Sequence, residues 1–277
     1  MKRIIGLAAK ARSGKDTAAA ILLQHACVTA FALADPLKRG CQILFNLSDA
    51  QAWDDSVKEV EVGAWGLSPR AFFQRIGTEW MRSHNANHWL MRADREIYKP
   101  IAIHPLSSEQ TNHPETPFIL AAKAFFNLSD DQCWCAAAFN KIDSFWQMAP
   151  VEMVNLVKMR ALQDFPDFTE KRSAMPPQEV NNTAYIQKPN LDSNGKDTII
   201  IKDIRFENEA AYIRSIGGSI WHIVREDAQP VNMHSSEFGI TVEDEDIVIH
   251  NNGSLEELGT RLNETWASLI SDSADRG

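Results

Sequence analysis

Apolar residues follow two rhythms along this 277-residue chain. Near the N-terminal end, Ile4-Ile5-Gly6-Leu7-Ala8-Ala9 is a continuous apolar run, and Thr198-Ile199-Ile200-Ile201 is a second one. Short continuous runs of this kind read as strands buried on both faces of a parallel sheet. Cys27–Leu33, Ser219–Arg225 and Ile247–His250 read as further short strands. A helix-forming segment follows the first run. Another starts at Phe206-Glu207 and ends at Gly217-Gly218, and a last one starts at Ser254, with Glu256 and Glu257 in its first turn. Strands alternating with helices predict an α/β fold, a parallel sheet flanked by helices.

The second rhythm has helical period. Residues 40–66 are predicted helical, with an acidic hinge through Asp54-Asp55 and Glu59-Val60-Glu61. Ser68 caps the next helix and Pro69 starts it, and Phe72, Phe73, Ile76 and Trp80 form its apolar stripe. Arg70, Gln74 and Thr78 recur every four residues on a neighbouring face, and Gly77 lets something approach closely. That polar row either reads a base and a phosphate or faces solvent. In the helix predicted over 84–92, Trp89 either stacks on a nucleobase or belongs to the core. His84 and His88 have the i,i+4 spacing of a metal pair, but no third ligand is near, so they are expected on the helix surface. Residues 104–198, punctuated by eight prolines, are predicted irregular.

A repeat runs through this part. Phe45-Asn46-Leu47-Ser48-Asp49, with Gln51, Trp53, Trp65 and Pro69, returns 81 positions later as Phe126-Asn127-Leu128-Ser129-Asp130, with Gln132, Trp134, Trp146 and Pro150. The polar row does not return: Arg70 becomes Val151, Gln74 becomes Asn155 and Gly77 becomes Lys158. The expectation is a partial duplication whose first copy holds a ligand and whose second copy packs as a lid or brace.

Composition narrows the classes. A net charge of −9 argues against coating nucleic acid, which rewards an excess of Lys and Arg. Cys27, Cys41, Cys133 and Cys135 lack zinc spacing and read as reduced thiols of a cytoplasmic protein. No apolar run approaches the roughly 18 residues of a membrane span, and Met1-Lys2-Arg3 leads straight into the first strand, so neither a span nor a signal peptide is expected.

The candidate chemistry sits where the first strand ends. Ala9-Lys10-Ala11-Arg12-Ser13-Gly14-Lys15-Asp16-Thr17 approximates a phosphate-binding loop between strand and helix, with Ala9 in place of the first glycine and Asp16 in place of the Ser/Thr. Backbone N–H groups there would cradle a polyphosphate, with Lys15 as the cation on its outer oxygens. Lys38, in the helix that Asp35 and Pro36 open, either faces a second phosphate or is solvated. Asp203 stands at the carboxyl end of the Thr198 strand, where an acid would hold Mg²⁺. Arg205 and Glu209 lie four apart, so Glu209 either orients Arg205 toward a phosphoryl group or forms a surface ion pair with it.

In order, Arg12-Ser13-Gly14-Lys15-Asp16-Thr17, Ala34-Asp35-Pro36-Leu37-Lys38, Gln74-x-Ile76-Gly77-Thr78-Glu79, Asp203-x-Arg205 with Glu209, His234-x-Ser236-Glu237 and Asn251-Asn252-Gly253-Ser254 resemble the bacteriophage deoxynucleoside monophosphate kinases. The resemblance covers roughly residues 1–92 and 198–268. It implies a P-loop NTPase fold with a mainly helical acceptor-binding and lid insertion. The core would comprise 1–39 and 198–277, an acceptor segment 40–103, and a repeat-bearing insertion 104–197. The implied activity is transfer of the γ-phosphoryl of ATP to a deoxynucleoside 5′-monophosphate (dNMP) with Mg²⁺, by a single chain or a homodimer, with neither nucleic acid nor membrane as partner. Carried over by position, Ser13, Gly14, Lys15, Asp16 and Thr17 would hold the ATP phosphates, and Arg225, Asn251, Asn252 and Gly253 would lie near the donor adenosine. Lys38, Arg70, Gln74, Gly77, Thr78, Trp89, Asp203, Arg205 and Glu209 would surround the acceptor. Asp16, Thr17 and Asp203 would hold the metal, and Lys15, Arg70 and Arg205 would be catalytic. Two rival readings are a kinase resembling dephospho-coenzyme A kinase and a non-catalytic nucleotide sensor.

Overall fold

The computed structural model describes residues 2–10, 13–101, 104–175, 191–192, 194–226 and 239–274. Ala11, Arg12 and the His234-x-Ser236-Glu237 segment lie outside them. The chain divides into two compact units, Met1–Leu33 with Leu191–Gly277, and Ala34–Asn190.

The first unit is a five-stranded, all-parallel sheet in the order β2-β3-β1-β4-β5. The strands are β1 (Arg3–Ala9), β2 (Val28–Ala32), β3 (Thr198–Ile204), β4 (Ser219–Val224) and β5 (Ile247–His250). The continuous apolar runs became strands because both faces are covered. On one face Ile5, Leu7, Ile200, Trp221 and Ile249 pack against Leu22 of α1 (Lys15–Leu22) and Leu258, Leu262 and Trp266 of the C-terminal helix Leu255–Ala274. On the other lies the helix Glu207–Ser215: a Cβ on Gly6 would come within 2.7 Å of Ile213, so the bare glycine sets how closely that helix approaches. Chain leaving β1 goes to β2 on one side, while chain leaving β4 goes to β5 on the other. The carboxyl end of β1 is therefore the switch point where open parallel sheets bind ligands.

The second unit is helical among its described residues: α2 (Ala34–Phe45), α3 (Asp49–Trp53), α4 (Pro69–Gln74) continuing as a π-helix (Arg75–Arg82), α5 (His88–Tyr98), α6 (Ser108–Asn112), α7 (Thr116–Phe126), α8 (Asp130–Trp134), α9 (Ala136–Phe139), α10 (Pro150–Asp164) and α11 (Phe168–Ala174). We label the two helices of the first unit named above α12 (Glu207–Ser215) and α13 (Leu255–Ala274).

Three expectations are corrected here. The stretch 40–66 is not one helix, because Asn46 takes the left-handed φ of 56° and ends α2, and turns with a Val62–Leu67 bridge follow α3. The described part of 104–198 is largely helical, because Pro117 and Pro150 occupy the first turns of helices, where a missing N–H costs nothing. His88 is buried, not on the helix surface. It is 1 % exposed, and its Nε2 lies 3.1 Å from the Phe125 carbonyl at the end of α7.

The 81-residue repeat folds alike in both places. Ser48 and Ser129 close capping boxes with Gln51 and Gln132, and Asn46 and Asn127 share a left-handed φ. The Trp65 and Trp146 indoles donate to the Phe45 and Phe126 carbonyls at 2.8 and 2.9 Å. The Val62–Leu67 bridge recurs as Asp143–Met148. One partner differs. Gln42 accepts from the Trp53 indole at 3.1 Å, but its counterpart Lys123 has no acceptor to offer, and the buried Trp134 indole nitrogen makes no hydrogen bond.

Candidate active site

The candidate site of the first unit is built by the carboxyl ends of β1, β3 and β5. Gly14 stands as the N-cap of α1 with φ 91°, a left-handed conformation that explains a glycine immediately before Lys15. The N-terminus of α1 carries Lys15, with Asp16 and Thr17 exposed in the same turn. The N–H groups of a first helical turn point outward along the axis and, with the positive dipole end, make such a terminus attractive to phosphate.

Asp203 reaches this helix start by way of an irregular strand. β3 pairs regularly with β1 through Gly6 and Ile201. Ala8 then pairs with Ile204, so β3 spends one more residue than β1 and bulges. Asp203 sits in that bulge with φ 66°. A bulge re-aims side chains and bends the strand. Here it delivers the Asp203 carboxylate onto the Lys15 ammonium, while Arg205 Nη2 approaches the same oxygen at 3.3 Å. Lys15 and Asp203 are mostly buried and Arg205 is 42 % exposed, so the cluster is a charged floor with an accessible arginine above it.

Asn251, at the end of β5, donates from Nδ2 to the Ser13 carbonyl at 2.9 Å, and a Cβ on Gly14 would fall 2.3 Å from that amide. The residue expected near a donor adenosine braces the loop itself. No local sequence signal reveals this, because the hydrogen bond spans 238 positions. Asn252 Oδ1 accepts from the Glu226 N–H at 3.0 Å, and Arg225 and Gly253 are exposed beside it. Glu209 Oε2 accepts the backbone N–H groups of Arg205 and Phe206 at 2.9 and 3.2 Å, capping α12. The carboxylate thus fixes the backbone from which Arg205 projects.

The second unit holds the remaining candidates. Arg70 pairs with Glu59, and its N–H bonds the Lys58 carbonyl at 3.0 Å. The Lys38 ammonium lies 5.4 Å from the centre of the Trp53 ring. Gln74 and Thr78 are exposed, whereas Gly77 is buried because Leu37 of α2 packs on it, at 2.8 Å from where a Cβ would stand. Trp89 is 6 % exposed, with its indole on the Gly77 carbonyl at 3.1 Å, so its ring is part of the packing.

Among the described residues no group of three His, Cys, Asp or Glu could hold a metal, and no helix is long and apolar enough to cross a membrane.

Comparison with known proteins bears on the β3–β5 half of this site. Residues 179–262 match the family profile of deoxynucleotide monophosphate kinase. The segment includes Asp203, Arg205, Glu209, Arg225 and Asn251–Gly253. The chain is similar to the deoxynucleotide monophosphate kinase of Enterobacteria phage T4, 36% identical over 85 residues, which are 31% of this chain and 34% of that protein. It is also similar to the enzyme of the same name from Escherichia phage RB69, 35% identical over 66 residues, 24% of this chain and 27% of that protein. The chain thus spans about a third of the length of these curated relatives.

Proposed function

We propose that the chain is an ATP-dependent deoxynucleoside monophosphate kinase. The observation that carries this reading is the meeting of Lys15, Asp203 and Arg205 at the switch point of an all-parallel sheet, within which β3 to β5 also match the kinase profile. Ser13 to Thr17 and the α1 amides are the proposed seat of the ATP phosphates, braced by Asn251. Arg225, Asn252 and Gly253 are proposed to flank the adenosine. On binding, phosphate oxygens would replace Asp203 as the partner of Lys15, since both are anions competing for one cation.

An acceptor phosphate oxygen would attack the γ-phosphorus as the bond to the β,γ-bridging oxygen breaks, leaving ADP. Lys15, Arg205 and Arg70 would stabilise the charge that spreads over the equatorial oxygens. Lys38, Gln74 and Thr78 are the proposed acceptor-side groups, and Gly77 and Trp89 their support. Asp16, Thr17 and Asp203 offer only hard oxygen donors, the set that suits Mg²⁺, and they would hold it. When bound, that ion would neutralise part of the charge on the phosphates.

The test is a coupled ADP-release assay across dNMPs, NMPs and dephospho-coenzyme A. Turnover on at least one dNMP is expected. Turnover on dephospho-coenzyme A alone, or ATP binding without ADP release, would replace this reading with one of its rivals. Lys15→Ala and Arg205→Ala are each expected to lower kcat/KM by about three orders of magnitude without altering the melting transition.

A further inference from the structure

The two copies of the helical motif differ by one residue at one place. The offset is 81 from Phe45/Phe126 through Pro69/Pro150 and on to the fully buried pair Ile76/Val157. Beyond that it is 80. The Asn85 N–H bonds the Met81 carbonyl as Phe165 bonds Ala161, and the His88 N–H bonds Asn85 as Phe168 bonds Phe165, all at 2.9 Å. Asn87 and Asp167, the N-caps of α5 and α11, share φ of −96° and −93°. His88 lies tilted 33° on Trp146, 5.2 Å between centroids, as Phe168 lies tilted 33° on Trp65 at 5.4 Å. The first copy therefore carries one extra residue within Gly77–Trp80.

That segment lies inside the π-helix Arg75–Arg82, whereas the matching part of α10 is plain α-helix. A π turn is the local signature of a single residue added to a helix whose ends are held in place. Between Ile76 and Met81 the widened turn buries Gly77 and Trp80, whereas between their counterparts Val157 and Ala161 α10 buries none of Lys158, Met159 and Arg160. Carbonyls of this turn accept from side-chain donors: Gly77 from the Trp89 indole, and Glu79 and, at 3.4 Å, Trp80 from the Ser83 hydroxyl. On its outer side Gln74, Thr78 and Glu79 are exposed together.

We propose that this one-residue expansion is a specificity-determining feature of the acceptor site, resting on the kinase reading above. The extra residue turns an ordinary packing helix, still visible as α10, into a face whose exposed Gln74, Thr78 and Glu79 side chains can match the polar edge of a nucleobase. Deleting Thr78 restores the register of α10, whereas Thr78→Ala keeps the extra residue and removes only the side-chain contacts, so its acceptor KM is expected to rise less than that of the deletion. Expected of the deletion are a chain whose circular dichroism and melting temperature stay close to the original, an acceptor KM raised at least tenfold, and an ATP KM changed less than twofold. Inserting one alanine between Lys158 and Met159, which copies the expansion into α10, is expected to change the acceptor KM less than twofold.

An unchanged acceptor KM on deletion, an equal rise in the ATP KM, or an equal effect of the α10 insertion overturns the proposal. If the deletion does not fold, hydrogen exchange on the unaltered chain decides. The active dNMP is expected to slow the amides of Ile76–Arg82 at least fivefold while ATP does not, and no slowing overturns the proposal. An unaltered chain that releases ADP on no dNMP is a different failure, that of the kinase reading.

Discussion

At the scale of single residues, Asp203 combines backbone and charge. Its φ of 66° is one that Asp and Asn tolerate and alanine resists by about 1 kcal/mol. Asp203→Asn should therefore unfold in urea within about 1 kcal/mol of the original, since the ion pair it loses is partly solvated. Asp203→Ala should lose roughly 1 kcal/mol more. Equal stabilities of the two variants would mean that the bulge does not constrain this position. His88 gives the pH prediction. Burial outweighs its hydrogen bond to Phe125, and with Arg92 and His84 nearby its pKa falls to about 3. The folded state thus refuses a proton that the unfolded chain accepts near 6.5. Stability is complete above that pH and falls by up to about 1.4 kcal/mol per unit as pH drops toward 3. In urea titrations from pH 7 to 4, His88→Gln should remove that slope. A slope unchanged by the substitution would place its origin elsewhere.

At the scale of elements, packing between α2 and α7 is set by Gly40, where a Cβ would stand 2.1 Å from the Phe125 ring. Gly40→Ala gains helix propensity but forces that ring to move, so a net loss of about 1–3 kcal/mol is expected in chemical denaturation. A more stable variant would show the contact to be soft. The elements also show what sequence could and could not reveal. Ile199–Ile201 announced a buried strand because both its neighbours are strands, and Ser68-Pro69 and Ser254 announced helix starts through local capping. The helices of 108–174 stayed hidden because proline in a first turn looks, in one dimension, like a loop signal. The π turn stayed hidden because Phe72, Ile76 and Trp80 keep α spacing on its inner side. Within the site, Lys15 and the acid–arginine pair were legible from motif and strand-end position. The bulge that joins them, and the reach of Asn251 to Ser13, depend on contacts between residues far apart in the chain.

At the scale of the whole molecule, one unit brings Lys15, Asp203 and Arg205 together at the carboxyl end of its sheet, and the other carries a helical motif twice, with its polar row in the first copy alone. The relatives it resembles bear the name of one activity and match about a third of their length, so the kinase reading rests mainly on the site chemistry. The most direct test of that chemistry is ADP release by the purified chain with ATP, Mg²⁺ and each dNMP in turn, beside Lys15→Ala and Arg205→Ala. Steady ADP release on at least one dNMP is expected, with its near-complete loss in both variants. ATP binding with no dNMP-dependent release, or undiminished release in either variant, would contradict it.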